Sequence, residues 1–215
     1  MTEIKSIIFD LGGVILNLDY SKTVDEFKKI GVLHSKKLYS QKKQTLLFDD
    51  FEKGKIKSEK FISTLKDSEN LKIKEIDFIN AWNAMLLEIP IEKLKFIYGL
   101  KKDYKIFLLS NTNEIHIKKF KEDLKKNNML EQFYNCFDKI YYSSRMGKRK
   151  PEKSCFNQVL EENGLMAENT LFIDDSIQHI EGAKKAGIKT FHLEKNKSIL
   201  DLVPDIIQSK HHQWI

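Results

Sequence analysis

"SIIFDLGGVIL", residues 6–16, sets a single aspartate, Asp10, at the end of an apolar run and follows it closely with two glycines. Ile7, Ile8 and Phe9 read as a buried strand, because a short apolar run bounded by turn residues suits a sheet covered on both faces. A carboxylate at the end of such a strand needs a partner, since burying an unpaired charge is costly. The glycines mean that the backbone turns sharply there or passes close to another group. Taken alone, the stretch fits a core strand entering a turn as well as it fits a reaction centre.

Four further strand-like runs follow: Lys105 to Leu109, Lys139 to Tyr142, Thr170 to Ile173, and Lys189 to Leu193. Their spacing, with helical stretches between them, is that of βα units and predicts a doubly wound parallel α/β sheet. One helix starts at Pro151, carries Phe156, Val159 and Leu160 on one face, and ends at Asn163-Gly164. Another runs from about Ile177 to Lys185 and closes at Gly187.

The gap between Phe9 and Lys105 is far longer than one crossover helix requires. It reads as several helices: one capped by Ser21 with Val24 and Phe27, one capped by Ser58 with Phe61 and Leu65. A longer one carries Ile76, Ile79, Trp82 and Leu86 on one face, and Ile91, Leu94 and Ile97 begin the return to the core. The expected organisation is a catalytic core of residues 1–16 and 97–215, with an α-helical cap at 17–96 inserted after the first strand.

Bulk composition narrows the class. The chain of 215 residues suits one large domain or a core with an accessory unit, and 41% hydrophobic with 32% charged residues suits a soluble globular protein. No run approaches a membrane span, and the N-terminal apolar stretch lacks the basic leader and cleavage site of a secretion signal, so a cytoplasmic protein is expected. Cys136 and Cys155 are far apart with no second pair to complete a zinc site, and are expected as buried free thiols. The net charge of +6 invites nucleic acid as a partner, but Arg145 and Arg149 are the only arginines among 37 basic residues. Arginine is the better reader of bases and phosphates, and lysines alternating with acidic residues describe a solvated surface. No nucleic-acid or membrane partner is expected. A small anionic substrate would still be drawn to such a surface.

Ligands of an open parallel sheet bind beyond the carboxyl ends of its strands. The first strand ends in Asp10, and the second, "KIFLLSNTN", ends in Ser110 and Asn111 ahead of a helix. The third leads through "SSRMGKRKP" to Lys150, and the fourth, "TLFIDD", ends in Asp174 and Asp175. Each has an ordinary explanation alone: Ser110 as a helix cap, Lys150 as one lysine of many, the acidic pair as a cap of the next helix. Their conjunction at one sheet edge suggests phosphoryl transfer. Asp10, Asp174 and Asp175 offer hard oxygen ligands suited to Mg²⁺, and a backbone carbonyl at Gly12 can turn toward the metal. The metal and Lys150 would neutralise a phosphoryl group, with Ser110 and helix amides donating to its oxygens. Asp10 could then attack phosphorus in line, giving an aspartyl-phosphate that water hydrolyses.

"IIFDLGGVI", "LLSNTN", "GKRKP" and "LFIDDS" resemble the four signature motifs of the haloacid dehalogenase-like (HAD) superfamily of hydrolases, and the helical segment resembles its α-helical cap. The aspartate followed by Leu-Gly-Gly-Val, with Ser-Asn-Thr-Asn and Arg-Lys-Pro, looks like a bacterial sugar-phosphatase branch that includes glucose-1-phosphate phosphatases. The resemblance implies that Asp10 is the nucleophile and that Ser110, Asn111 and Lys150 contact phosphate. It also implies Mg²⁺ on Asp10, the Gly12 carbonyl and Asp175, with Asp174 direct or through water. A Rossmann-like core and a small phosphorylated metabolite as substrate are expected, in a monomer or weak homodimer.

One position departs from the superfamily's pattern. Most of its phosphatases carry a second aspartate two residues after the nucleophile, as general acid and base, where this chain has Gly12. Three readings follow: substrates whose leaving group is good or finds its proton elsewhere, an anomeric sugar phosphate being an example; a substitute such as Asp19 or His116; or a weak hydrolase whose main use is binding. The first is favoured, since the branch itself carries glycine there. A mutase, which needs efficient proton shuttling at this position, is disfavoured. A haloacid dehalogenase is disfavoured because an unneutralised acidic pair would repel an anionic substrate, and a phospho-accepting receiver domain because its acidic pair follows the first strand. Tyr20, Phe48 and Trp82 are open between pocket lining and the core of the helical unit. The tail histidines His211 and His212 read as a frayed end.

Overall fold

The computed structural model describes residues 3–32, 46–68 and 70–202. The chain begins with β1 (Ser6–Phe9) and enters helices α1 (Tyr20–Lys29), α2 (Leu46–Glu52), α3 (Ser58–Ser68) and α4 (Glu75–Asn83). It returns through α5 (Ile91–Leu100) to β2 (Lys105–Ser110), then runs through α6 (Glu114–Lys126), α7 (Leu130–Asn135), β3 (Lys139–Tyr142) and α8 (Ser143–Met146). Helix α9 (Lys153–Asn163), β4 (Thr170–Asp174), α10 (Ile177–Lys185) and β5 (Lys189–His192) complete the sheet. His211 and His212 lie outside the described residues.

The five strands form one parallel sheet in the order β3-β2-β1-β4-β5, as the spacing of the apolar runs predicts. Every residue of β1 is buried, because alternate side chains enter two different cores. Ile7 and Phe9 join Ile106, Leu108, Leu171 and Ile173 under α5, α6 and α7. Ile8 joins Phe107, Leu109 and Phe172 on the other face, under α9 and α10. Central β1 is flanked by β2 and β4, so the chain's direction of travel across the sheet reverses between β1 and β4. That reversal leaves a crevice at the carboxyl ends of the strands. Cys136 and Cys155 are buried free thiols.

The helices between β1 and α5 enclose a third core, rich in aromatic rings. Phe51 stacks on Phe61 at 4.0 Å between centroids, and Trp82 packs on Phe48 at 5.4 Å. The chain leaves and re-enters through paired segments: Asn17 N–H donates to Glu88 O at 3.0 Å, and Leu87 N–H to Asn17 O at 3.0 Å. Helix α5 starts at Ile91, and its buried Leu94, Ile97 and Leu100 belong to the sheet's core.

Local details differ from expectation in three places. Asp19, whose carboxylate accepts from Ser21 N–H, caps α1, while Ser21 and Ser58 lie inside their helices. An aspartate outcompetes a serine for an N-cap because it also meets the positive end of the helix dipole. Helix α4 buries Phe78, Ala81 and Trp82, with Met85 beyond its end, while Ile76 is 55% exposed. The large rings dictated that rotation, since they fill the aromatic core. Helix α9 begins at Lys153, with Pro151 in the preceding turn.

Candidate active site

The strand ends bring Asp10, Ser110, Lys150 and Asp174 together, all buried. Asp10 follows β1 directly, and its N–H donates to Ile173 O of β4 at 2.9 Å, so the neighbouring strand fixes its backbone. Lys150 is 0% exposed and its ammonium bridges two carboxylates, 2.7 Å from Asp10 Oδ1 and 2.6 Å from Asp174 Oδ2. Full burial would strip the proton from a lone lysine, but the two carboxylates reverse that and raise its affinity for the proton.

The carboxylates are not equivalent. Burial is the main influence on Asp10 and pushes it up to about 6, against Lys150, with Asp174 adding repulsion. Burial would raise Asp174 as well, but Lys150 and His179 outweigh it and hold this carboxyl below its ordinary value. His179, in the first turn of α10, has Nδ1 3.0 Å from both Asp174 oxygens. A carboxylate only accepts, so Nδ1 carries the hydrogen and Nε2 faces the Asn111 amide, 3.4 Å away, as acceptor.

Asn111 grips the backbone of Lys150 from both sides. Its Nδ2 donates to Lys150 O at 2.9 Å, and its Oδ1 accepts from Lys150 N–H at 2.9 Å. Ser143, which opens α8 just beyond β3, does the same for Thr112, accepting from its N–H at 2.9 Å and donating to its carbonyl at 3.0 Å. Residues 110–113 are thereby pinned ahead of α6, whose first turn is capped by Asn113. A pinned loop leading into a helix N-terminus is a ready site for an anion.

The two glycines after Asp10 now separate. Gly13 has φ +78°, and a Cβ there would lie 2.3 Å from Asp175 Oδ2, so only glycine lets Asp175 approach this turn. A Cβ at Gly12 would meet only the mobile end of Leu18, at 2.7 Å. Asp10, Gly12, Ser110, Asn111 and Asp175 all line one pocket, with Tyr20 and Glu52 from the helical unit.

Neither proposed substitute for a proton donor at Gly12 is poised for the task. Asp19 holds the N-terminus of α1. His116 lines the pocket, but its ring stacks on Trp82 at 4.8 Å and its Nε2 donates to Trp82 O at 3.2 Å. Burial pushes His116 down to about 4, so the ring is neutral at pH 7. Phe48 and Trp82 belong to the aromatic core, while Tyr20 lines the pocket. His179, Ser143, Glu52 and Arg149 are the residues that sequence reasoning missed. His179 had a local signal, being one helical turn beyond the acidic pair.

No helix among the described residues is long and apolar enough to cross a membrane. A family model for haloacid dehalogenase-like hydrolases matches residues 4–187. A D-ribitol-5-phosphate phosphatase from Bacteroides thetaiotaomicron is 32% identical over 196 residues, covering 89% of this chain and 92% of its own. A solved HAD-family enzyme from Bacteroides thetaiotaomicron, an aspartate-to-alanine mutant in complex with magnesium and inorganic phosphate, superposes with a TM-score of 0.86 at 32% identity. The match covers 93% of this chain and 98% of that one. A predicted HAD-like hydrolase from Porphyromonas gingivalis superposes with a TM-score of 0.84 at 31% identity, over 99% of this chain and 100% of its own.

Proposed function

The chain belongs to the haloacid dehalogenase-like hydrolases, and from that premise we propose that it is a Mg²⁺-dependent phosphatase of small phosphomonoesters, sugar or polyol phosphates, with Asp10 as nucleophile. The observation that carries this reading is the buried Lys150 ammonium between Asp10 and Asp174, beside the pinned loop that opens α6. The 32% identity to a ribitol-phosphate phosphatase over most of both chains supports the substrate class.

The donor set fits a divalent cation. Asp10 and Asp174 meet across the buried Lys150 ammonium, and Asp175 lines the same pocket as Asp10. Asp10, Asp175 and the Gly12 carbonyl would hold Mg²⁺, with Asp174 direct or through water, and the cation would neutralise phosphoryl charge.

The residues then divide the work. Lys150 holds one oxygen of Asp10, and the carboxylate attacks phosphorus in line as the P–O bond to the leaving alkoxide breaks. Lys150, the Ser110 hydroxyl and backbone N–H groups ahead of α6 stabilise the phosphoryl oxygens. Asn111 and Ser143 act through the backbone, Asn111 by setting Lys150 and Ser143 by setting Thr112. Water next attacks phosphorus of the aspartyl-phosphate, releasing phosphate and restoring Asp10. With glycine at position 12, the leaving oxygen takes its proton from water or from the substrate itself, so turnover depends steeply on the leaving group.

The test is phosphate release from a panel of sugar and polyol phosphates, with Mg²⁺ and with EDTA, for wild type and Asp10→Asn. Release that needs the metal and disappears in the variant is expected. Saturable phosphate binding with no release from any substrate would support the weak-hydrolase reading, in which Gly12 marks a binding protein.

A further inference from the structure

Two charged groups in the pocket take no part in the proposed reaction, Glu52 from α2 and Arg149 from the loop before α9. Glu52 is only 5% exposed, and its Oε2 lies 2.9 Å from Arg149 Nη2. Arg149 Nη1 also donates to Asp49 Oδ1 at 3.0 Å, outside the pocket lining, while the buried Arg149 Nε has no hydrogen-bond partner among the described residues. Arg149 immediately precedes Lys150, whose ammonium touches Asp10. The guanidinium is held in place by its two carboxylate partners, Asp49 and Glu52. A second contact fixes the seam: Gly54, just beyond α2, lies so close to Ser144 that a Cβ would overlap the Ser144 carbonyl oxygen.

Leu16, Leu18, Met85, Leu86 and Phe120 form the apolar part of the remaining wall, beside the polar Tyr20, Thr112 and His116. A substrate entering here therefore meets a carboxylate that only accepts and a guanidinium that only donates, side by side against hydrocarbon. A hydroxyl does both, and neighbouring hydroxyls on a carbon chain match such a pair with the C–H faces turned to the leucines. A second anionic group on the substrate would instead be set against Glu52, at a cost that burial enlarges.

Resting on the phosphatase reading, we infer that Glu52 and Arg149 form the specificity subsite, selecting phosphomonoesters of neutral polyhydroxylated chains and rejecting those that end in a carboxylate. Glu52 sits on the helical unit and Arg149 on the core, so the subsite is complete only when the two are in contact.

The experiment measures kcat/KM for a pentitol phosphate, a phosphorylated hydroxy acid of equal length, and an aryl phosphate with neither group, together with Tm. Wild type is expected to favour the pentitol ester over the acid by at least about tenfold. In Glu52→Gln the pentitol ester should lose about tenfold to a hundredfold, mainly in KM, the size of a hydrogen bond to a charged group. The acid should gain or hold, and the aryl ester should stay within about threefold. Asp49→Asn removes a partner of Arg149 outside the pocket, so it should lower Tm and leave the pentitol-to-acid ratio unchanged. An unchanged ratio in Glu52→Gln, or an equal shift in Asp49→Asn, overturns the inference. Wild type that cleaves the aryl ester without preferring the pentitol ester overturns it too and leaves the phosphatase reading standing. Wild type that cleaves none of the three overturns both.

Discussion

Arg149 and Lys150 are neighbours in the chain and opposites in setting. Lys150 is fully enclosed and shared between two buried carboxylates, one of which is also fixed by His179 and by Ser176 N–H at 2.8 Å. Arg149 belongs to a longer chain of charges across the seam with the helical unit. In it Glu152 meets Lys53 at 2.6 Å, Lys53 meets Asp49 at 2.9 Å, and Asp49 and Glu52 both meet Arg149. The outer members of that chain share their charge with solvent. The difference teaches which contacts are built to persist and which to be remade. A buried pair is costly to break because it strands a charge, whereas a solvent-sharing pair is worth little. The reaction centre is therefore the rigid side, and the exchangeable contacts of the seam are its outer ones, where Glu152 is exposed, while the Glu52–Arg149 pair is largely buried.

Lys150→Met breaks the rigid side of this comparison and carries the largest expected effect. Two carboxylates lose their shared cation, so unfolding in denaturant should show a loss of about 3–5 kcal/mol. Phosphate release should fall at least about 10²–10³-fold, as when one stabilising donor is removed from a reaction centre.

Acid should loosen the junction where Trp82 of the helical unit stacks on His116 of α6. His116 is held down to about 4 by burial, against an ordinary 6.5. Between those values the unfolded chain binds a proton that the folded chain does not. Stability from this group is complete above pH 6.5 and is lost as pH falls toward 4, by about 3 kcal/mol at 1.36 kcal/mol per unit. Thermal unfolding across that window should show the slope in wild type and a flatter one in His116→Gln, which keeps a donor for the Trp82 carbonyl.

His179→Gln sharpens the comparison within the reaction centre itself. Loss of the imidazole frees Asp174 to rotate away from Lys150 while leaving both in place. Mg²⁺ titration of phosphate release should show an affinity about 10–100-fold weaker, as for other partners of metal-binding groups, with little change in Tm. The smallest effect belongs to the seam. Lys53→Met removes two solvent-sharing ion pairs and should cost no more than about 1 kcal/mol in denaturant unfolding.

The sheet was legible from the sequence because each strand is a short apolar run, and β1, β2 and β4 lead into Asp10, Ser110 and Asp174. Asp10, Ser110 and Asp174 stand at strand ends by register, so reading the strands located them together with Lys150. The helical unit was legible only as helices. In α4 the sequence EIDFINAWN is apolar on more than one side, and ring packing chose Phe78 and Trp82 over Ile76. The seam left no trace in local pattern, since Asp49 and Arg149 are 100 residues apart and meet only in the folded chain. Asn111, expected at the phosphate, also holds the Lys150 backbone with its side chain, a use that periodicity does not encode.

The most direct test of the central claim is to look for the covalent intermediate. Wild type and Asp10→Asn are mixed with a substrate that wild type turns over, quenched in acid within one turnover, digested and analysed by mass spectrometry. A phosphoryl group on the peptide containing Asp10, present in wild type and absent from Asp10→Asn, is the predicted result. Undiminished turnover in Asp10→Asn, or a phosphoryl group found on a different residue, would contradict the account.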